Sequence, residues 1–249
     1  MKDYETLKVT REGNVVTAVL DRPESKNAIN MKMVNELTDL MKTVESAQDL
    51  AVLVFRGCDG VFSSGIDLRD FKLDQKADIY GLQKWEKMLR QMERLNKFTV
   101  AAVEGECTGG GFQLVLVCDA RISAKRSQFR FDEVKKGFLP GMAIYRLAKY
   151  IGLGRAKNLI LTGRTLTAEQ ALEWGVLDQV CEEMELDKTL QETIDTLLPF
   201  HPVALEMARR LINECFAEEY EDFIGHFLAA QHRSINSDAF QRLIAKATR

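Results

Sequence analysis

Little in this chain of 249 residues ties it to a metal, a membrane or a nucleic acid. The cysteines, Cys58, Cys107, Cys118, Cys181 and Cys215, form no CxxC pair and have no metal-like spacing to histidine, which argues against a disulfide framework or a zinc motif. Three of them lie in or beside apolar runs and read as small buried hydrophobes. Histidine is scarce: His201 precedes a proline, while His226 and His232 fall on one predicted helix but not on one face, so no metal is expected. No apolar run approaches the roughly 18 residues of a membrane span. The opening Met1-Lys2-Asp3-Tyr4-Glu5 lacks the apolar stretch of a signal peptide, and a cytoplasmic location is expected. With a formal net charge of −3 and no basic cluster denser than Lys125-Arg126, nucleic acid is not an expected partner.

What remains is an ordinary globular composition, 46% hydrophobic and 29% charged, with enough apolar residues for a substantial core. The first half alternates strand and helix. Val15–Leu20 is apolar and β-branched, and Ala51–Phe55 is a continuous apolar run, as a strand covered on both faces would be. Asn30 caps a predicted helix from Met31 to Ser46, with Met33, Val34, Leu37, Leu40 and Met41 on one stripe. Further helices are predicted from about Lys76 to Leu95 and from the glycine triplet through Val117; strands are predicted at Thr99–Val103, Ala120–Ala124 and Gln128–Phe131. Thr167 is a helix cap, with Glu169 and Gln170 in the first turn after it. From Met142 onward the pattern reads as almost wholly helical. The expectation is an α/β core over residues 1–195 and a helical segment over 196–249 that packs on it or on a neighbouring subunit.

Two segments carry the chemical signal: Phe62-Ser63-Ser64-Gly65-Ile66-Asp67 and Thr108-Gly109-Gly110-Gly111-Phe112-Gln113. Each puts small residues where a strand ends, so bare backbone can approach a ligand closely. Two N–H groups converging there would make a hole for a developing oxyanion. The triplet is not a dinucleotide turn, because Leu114 and Val115 stand where a third glycine would have to follow, and no P-loop Lys-Ser/Thr is present.

The chain resembles the enoyl-CoA hydratase/isomerase (crotonase) superfamily through matches in register. These are Arg22-Pro23-Glu24-Ser25-Lys26-Asn27-Ala28, Phe62 to Leu68, Ala101-Ala102-Val103-Glu104-Gly105 with Gly109-Gly110-Gly111-Phe112, Gly137-Phe138-Leu139-Pro140-Gly141, and Thr162 to Leu177. The resemblance implies a crotonase-like spiral of ββα units with a C-terminal helical segment, assembled as a homotrimer or hexamer. It implies an acyl-CoA or acyl-carrier-protein thioester as substrate, with coenzyme A or phosphopantetheine entering only as part of that substrate. The thioester carbonyl is implied to sit between the backbone N–H groups of Ile66 and Gly110. Lys26, Ala28, Ser64, Gly65, Asp67 and Leu68 are implied neighbours of the coenzyme. Trp85, Tyr80 and Lys84 lie where the family places acyl-pocket residues, and Phe138 belongs to a matching motif.

Hydratases of this family carry two glutamates; here Gln113 stands at the first position and Glu133 at the second. Gln113 can orient a water but cannot take its proton at neutral pH. A lone carboxylate suits a double-bond isomerase, in which one base removes a C2 proton and returns it at C4. Its neighbours alone, Asp132 and Val134-Lys135-Lys136, would make Glu133 a surface acid; the resemblance makes it the proton carrier. Glu106, four residues before Gly110, is a further candidate acid. A hydratase or dehydratase is the alternative. Decarboxylation or carboxymethylproline-synthase-like C–C bond formation is another, for which His226 and His232 are minor candidates. An RNA-binding relative exists in the family, but its basic helix stripe has no counterpart among Lys84, Glu86, Lys87, Arg90 and Glu93.

Overall fold

The structure, a computed structural model, describes residues 2–70, 79–198 and 201–247. Its order is β1 (Leu7–Glu12), β2 (Val15–Leu20), α1 (Met31–Ser46), β3 (Val52–Gly57), α2 (Ile79–Glu93), β4 (Phe98–Val103), β5 (Glu106–Thr108), α3 (Gly109–Leu116), β6 (Ala120–Ala124) and β7 (Gln128–Arg130). There follow α4 (Ala143–Thr162), β8 (Leu166–Thr167), α5 (Ala168–Glu173), β9 (Gln179–Cys181), α6 (Leu186–Leu197), α7 (Pro202–Glu214), α8 (Tyr220–Ile235) and α9 (Asp238–Ala247). The predicted start of the second helix at Lys76 and the end of the last at Thr248 lie outside the described residues.

Six strands form one sheet in the order β1-β2-β3-β4-β6-β9, antiparallel only at the β1–β2 edge. A smaller sheet, β5-β7-β8, lies beside the connections. In each winding a main-sheet strand leads to a second, shorter extended piece and then a helix. The second piece is β5 before α3 and β7 before α4. Earlier in the chain it shrinks to single bridges, Ile29 with Ile66 and Ser63 with Cys107.

Side chains of a strand alternate between faces, and β3 is covered on both. Leu53 and Phe55 enter the main core with α1 and α2, while Val52 and Val54 pack with Val100, Ala102, Ile122 and the α6 residues Leu186, Leu190 and Ile194. That double burial is why the strand reads as an unbroken apolar run. The Asn30 side chain accepts the Met33 N–H at 2.8 Å. Thr167 and Gln170 form a reciprocal capping box at the start of α5.

The region after Met142 is less uniformly helical than its sequence pattern suggests. β8 and β9 interrupt it, and α4 breaks at Gly152 (φ 76). The expected division at residue 195 falls inside α6. The C-terminal helices are tied to the core through buried Arg209, whose Nε donates to Asp119 at 2.6 Å and whose Nη1 donates to the Leu95 carbonyl at 2.6 Å. No helix among the described residues is long and apolar enough to cross a membrane.

Candidate active site

The two single-residue bridges bring the glycine segments together. Ser63 N–H donates to the Glu106 carbonyl at 3.0 Å, and Thr108 N–H donates to the Ser63 carbonyl at 2.9 Å. The same stretch then changes partner: Ile29 N–H donates to the Gly65 carbonyl at 2.8 Å and Asp67 N–H to the Ile29 carbonyl at 2.9 Å. With both neighbours bonded to Ile29, the N–H of Ile66 points to the other side. Among the described residues nothing accepts from it.

Gly65 (φ 96) is the pivot. A Cβ there would stand 3.1 Å from the Thr108 carbonyl oxygen and 3.5 Å from the Gly110 nitrogen. Gly110 lies in the first turn of α3, where N–H groups have no intrahelical acceptor and the helix dipole favours negative charge. Phe112 locks that helix in place, stacking on Phe131 at 4.6 Å and meeting Phe129 at 5.2 Å.

Glu133 opens a short 3-10 turn, Glu133–Lys136, yet its side chain is only 4% exposed. It packs against the turn into α3: a Cβ on Gly109 (φ 52) would lie 2.7 Å from its Oε1. Its Oε2 is buried without a hydrogen-bond partner. Burial pushes this carboxyl above the usual range; its own backbone N–H and Lys136 oppose that shift, and Asp132 adds to it.

Gln113 lies one turn beyond Gly109 on the same face of α3, 3% exposed and with its Oε1 unpartnered. Its neighbour is Gly141, where a Cβ would stand 3.0 Å from Gln113 Oε1 and 2.6 Å from Oε1 of Glu86. Glu86, on α2, accepts the Met142 N–H at 2.9 Å and an Arg146 Nη1–H at 2.9 Å. Arg146 also donates from Nε to Glu93 at 2.7 Å. Trp85, next to Glu86, is buried with its Nε1 unpartnered.

Two further acids beside the glycine segments, Asp67 and Glu106, are paired. Asp67 takes Arg69 Nε–H and Nη2–H, each at 2.8 Å, and Arg22 Nη1–H at 2.9 Å. Hydrogen bonds from Arg69 first, and from Arg22, hold its carboxyl well below the usual range against the opposing effect of burial. Glu106 accepts from Arg130 at 2.8 Å and from Lys26 at 3.4 Å. It is an ion-paired brace across β5 and β7, not a free acid.

The structure thus gathers Gly65, Ile66, Gly110, Gln113 and Glu133. Lys26 (φ 53) offers its carbonyl to Ser64 N–H at 2.9 Å, and Arg22 Nη1 donates to the buried Ala28 carbonyl at 2.6 Å, so this stretch lines the Ile66 loop through backbone. Leu68 is largely exposed, and Tyr80 and Lys84 are exposed on α2. Phe138 is half-buried, its N–H donating to the Glu133 carbonyl at 3.1 Å. His226 stands apart on α8, facing Glu218 at 2.7 Å, and His232 is exposed. Glu86 and Arg146 were missed from sequence; the signal was there in an acid directly beside Trp85, but its partners lie 56 and 60 residues away. A cavity of about 430 Å³ lined by Tyr150, Arg209 and Phe216 lies elsewhere and includes neither glycine segment.

A winding ββα core, two bare-backbone turns in contact and a buried acid beside them are features of one enzyme class. The chain belongs to the enoyl-CoA hydratase/isomerase family, whose sequence model matches residues 10–245. It is similar to the enoyl-CoA isomerase/hydratase of Mycosarcoma maydis, 36% identical over 206 residues, 78% of this chain and 75% of that protein. It is 30% identical over 210 residues to the short-chain-enoyl-CoA hydratase of Clostridium acetobutylicum, covering 82% of this chain and 79% of that one. Among solved structures, Pseudomonas aeruginosa AtuE superposes with a TM-score of 0.91 at 28% identity, covering 95% of this chain and 94% of its own. The fold is the crotonase fold, and the protein is an enzyme of that superfamily.

Proposed function

We propose that this enzyme moves the double bond of an enoyl thioester from C3=C4 to C2=C3, with Glu133 as its single proton carrier. The thioester carbonyl oxygen lies between the N–H groups of Ile66 and Gly110. Glu133 takes a proton from C2, the electron pair spreads over C2 to C4 and the carbonyl oxygen, and the same carboxyl returns the proton at C4. The two amides hold the resulting dienolate. The observation that carries this reading is the buried, unpartnered Oε2 of Glu133 beside the Gly109 turn. A carboxyl raised above its usual range by burial is better matched to moving a proton near neutral pH than an ordinary surface acid.

The backbone of Lys26 and Ala28 and the loop from Ser64 to Leu68 border the coenzyme A or phosphopantetheine arm. Trp85 and Phe138 bound the acyl group, with Tyr80 and Lys84 toward its outer end. Assembly into a trimer or hexamer is supported by the exposed apolar residues of the C-terminal helices, among them Ile212, Leu228 and Leu243.

The test uses trans-3-hexenoyl-CoA with wild type and Glu133→Gln. Wild type converts it to the 2-enoyl isomer, and the variant loses about 10²–10⁴-fold of that rate. A variant that stays within about threefold of wild type, far short of a general acid–base contribution, overturns the assignment.

A further inference from the structure

Resting on the enolate site just described, the geometry points to Glu86 as a second catalytic carboxylate that, with Gln113, holds a water for addition across C2=C3. The evidence is a pair of neighbouring acceptors, one of them buried without a donor. A Cβ on Gly141 would sit 2.6 Å from Glu86 Oε1, 3.0 Å from Gln113 Oε1 and 3.2 Å from Gln113 Nε2, so the two side-chain ends meet beside this glycine. The Gln113 oxygen is buried without a donor. Buried acceptors in that condition are uncommon and are most often served by water. A water between the two oxygens donates one hydrogen to each.

Glu86 is well fixed for this task. The Met142 N–H and Arg146 hold its two oxygens, and Glu93 shares the same guanidinium, so Arg146 is not devoted to Glu86 alone. Gln113 lies one turn along α3 from Gly109, against which Glu133 packs. Water and proton donor therefore border the same helical face.

With a 2-enoyl thioester bound, the water oxygen forms the bond to C3 and its released proton passes to Glu86. The C2=C3 electron pair moves toward the carbonyl oxygen between the backbone amides, and C2 takes a proton from protonated Glu133. One water has been added, and both carboxyls return to their starting states by exchange with solvent. The first carboxylate of the two-glutamate hydratases, absent at Gln113, is thus supplied from a different helix.

The experiment measures two rates in wild type, Glu86→Gln and Gln113→Leu: hydration of crotonyl-CoA, and C2 hydrogen–deuterium exchange of butyryl-CoA in D₂O. Exchange needs Glu133 and the amides but no added water. Glu86→Gln is expected to lower hydration about 10²-fold and Gln113→Leu about tenfold, with exchange within about threefold of wild type in both. If Glu86→Gln does not fold, Gln113→Leu must still show the selective loss. The inference is overturned if wild type does not hydrate crotonyl-CoA, if either folded variant keeps full hydration, or if both rates fall together, as a merely structural role for Glu86 would require. Absence of exchange in wild type is a different failure; it removes the enolate site itself and this inference with it.

Discussion

The carboxylates on the two sides of the Gly65 pivot are treated in opposite ways. On the Asp67 side two of the acids are saturated: Asp67 between Arg22 and Arg69, Glu106 between Lys26 and Arg130. On the α3 side Glu133 and Gln113 are as deeply buried as Asp67, yet each keeps an oxygen with no partner. Saturated acids hold backbone in place, and here they hold the loop that presents the Ile66 amide. Unsatisfied buried acceptors cost stability, which makes sense where a substrate or water completes them. Between Glu106 and Glu133, position near a glycine turn does not distinguish a brace from a reactive group; the partner list does.

The largest expected effect on that contrast, beyond loss of Glu133 itself, comes from deleting an amide. Gly110→Pro removes the N–H from a first-turn position that tolerates proline, and the isomerisation rate is expected to fall about 10²–10³-fold. Gly110→Ala keeps the N–H and brings a Cβ 2.9 Å from the movable Cδ1 of Ile66, so its loss is smaller. Equal losses in steady-state assays of the two would mean that crowding, not the donor, matters there.

Next in size is Asp67→Asn, which strands the mostly buried Arg22 and costs about 2–3 kcal/mol by denaturant titration at pH 7. The folded Asp67 carboxyl lies below its unfolded value, so its contribution is present above about pH 4 and fades as acid protonates it. The gap between variant and wild type therefore narrows below pH 4.

Glu133 shows the reverse sign. Its folded carboxyl lies above the unfolded value, so wild-type stability declines as pH rises through that interval. Glu133→Gln, freed of the buried charge, should melt higher than wild type at pH 8, and the two should converge at pH 4.

Much of this was legible in the sequence where local chemistry decides: the doubly covered β3, the Asn30 cap, the capping box at Thr167, and the two small-residue turns. The strands β8 and β9, of two and three residues, carry no periodicity to read; their pairing with β7 and β6 is set by the tertiary structure. The single-residue bridges at Ile29 and Ser63 are invisible for the same reason. Glu106 and Glu133 look alike as letters in charged surroundings, and only folding shows that Arg130 reaches the first while burial isolates the second. Glu86 reads as one charge on a mixed helix face until α4 brings Arg146 and Met142 to it.

The most direct measurement is deuterium entry at C2 of butyryl-CoA in D₂O, run side by side with Glu133→Gln and Glu106→Gln. Loss of about 10²-fold or more in the first and less than about threefold in the second is the expected result. Comparable exchange by the two variants would contradict the claim that the acid lacking a partner, and not the acid bound in ion pairs, handles the proton.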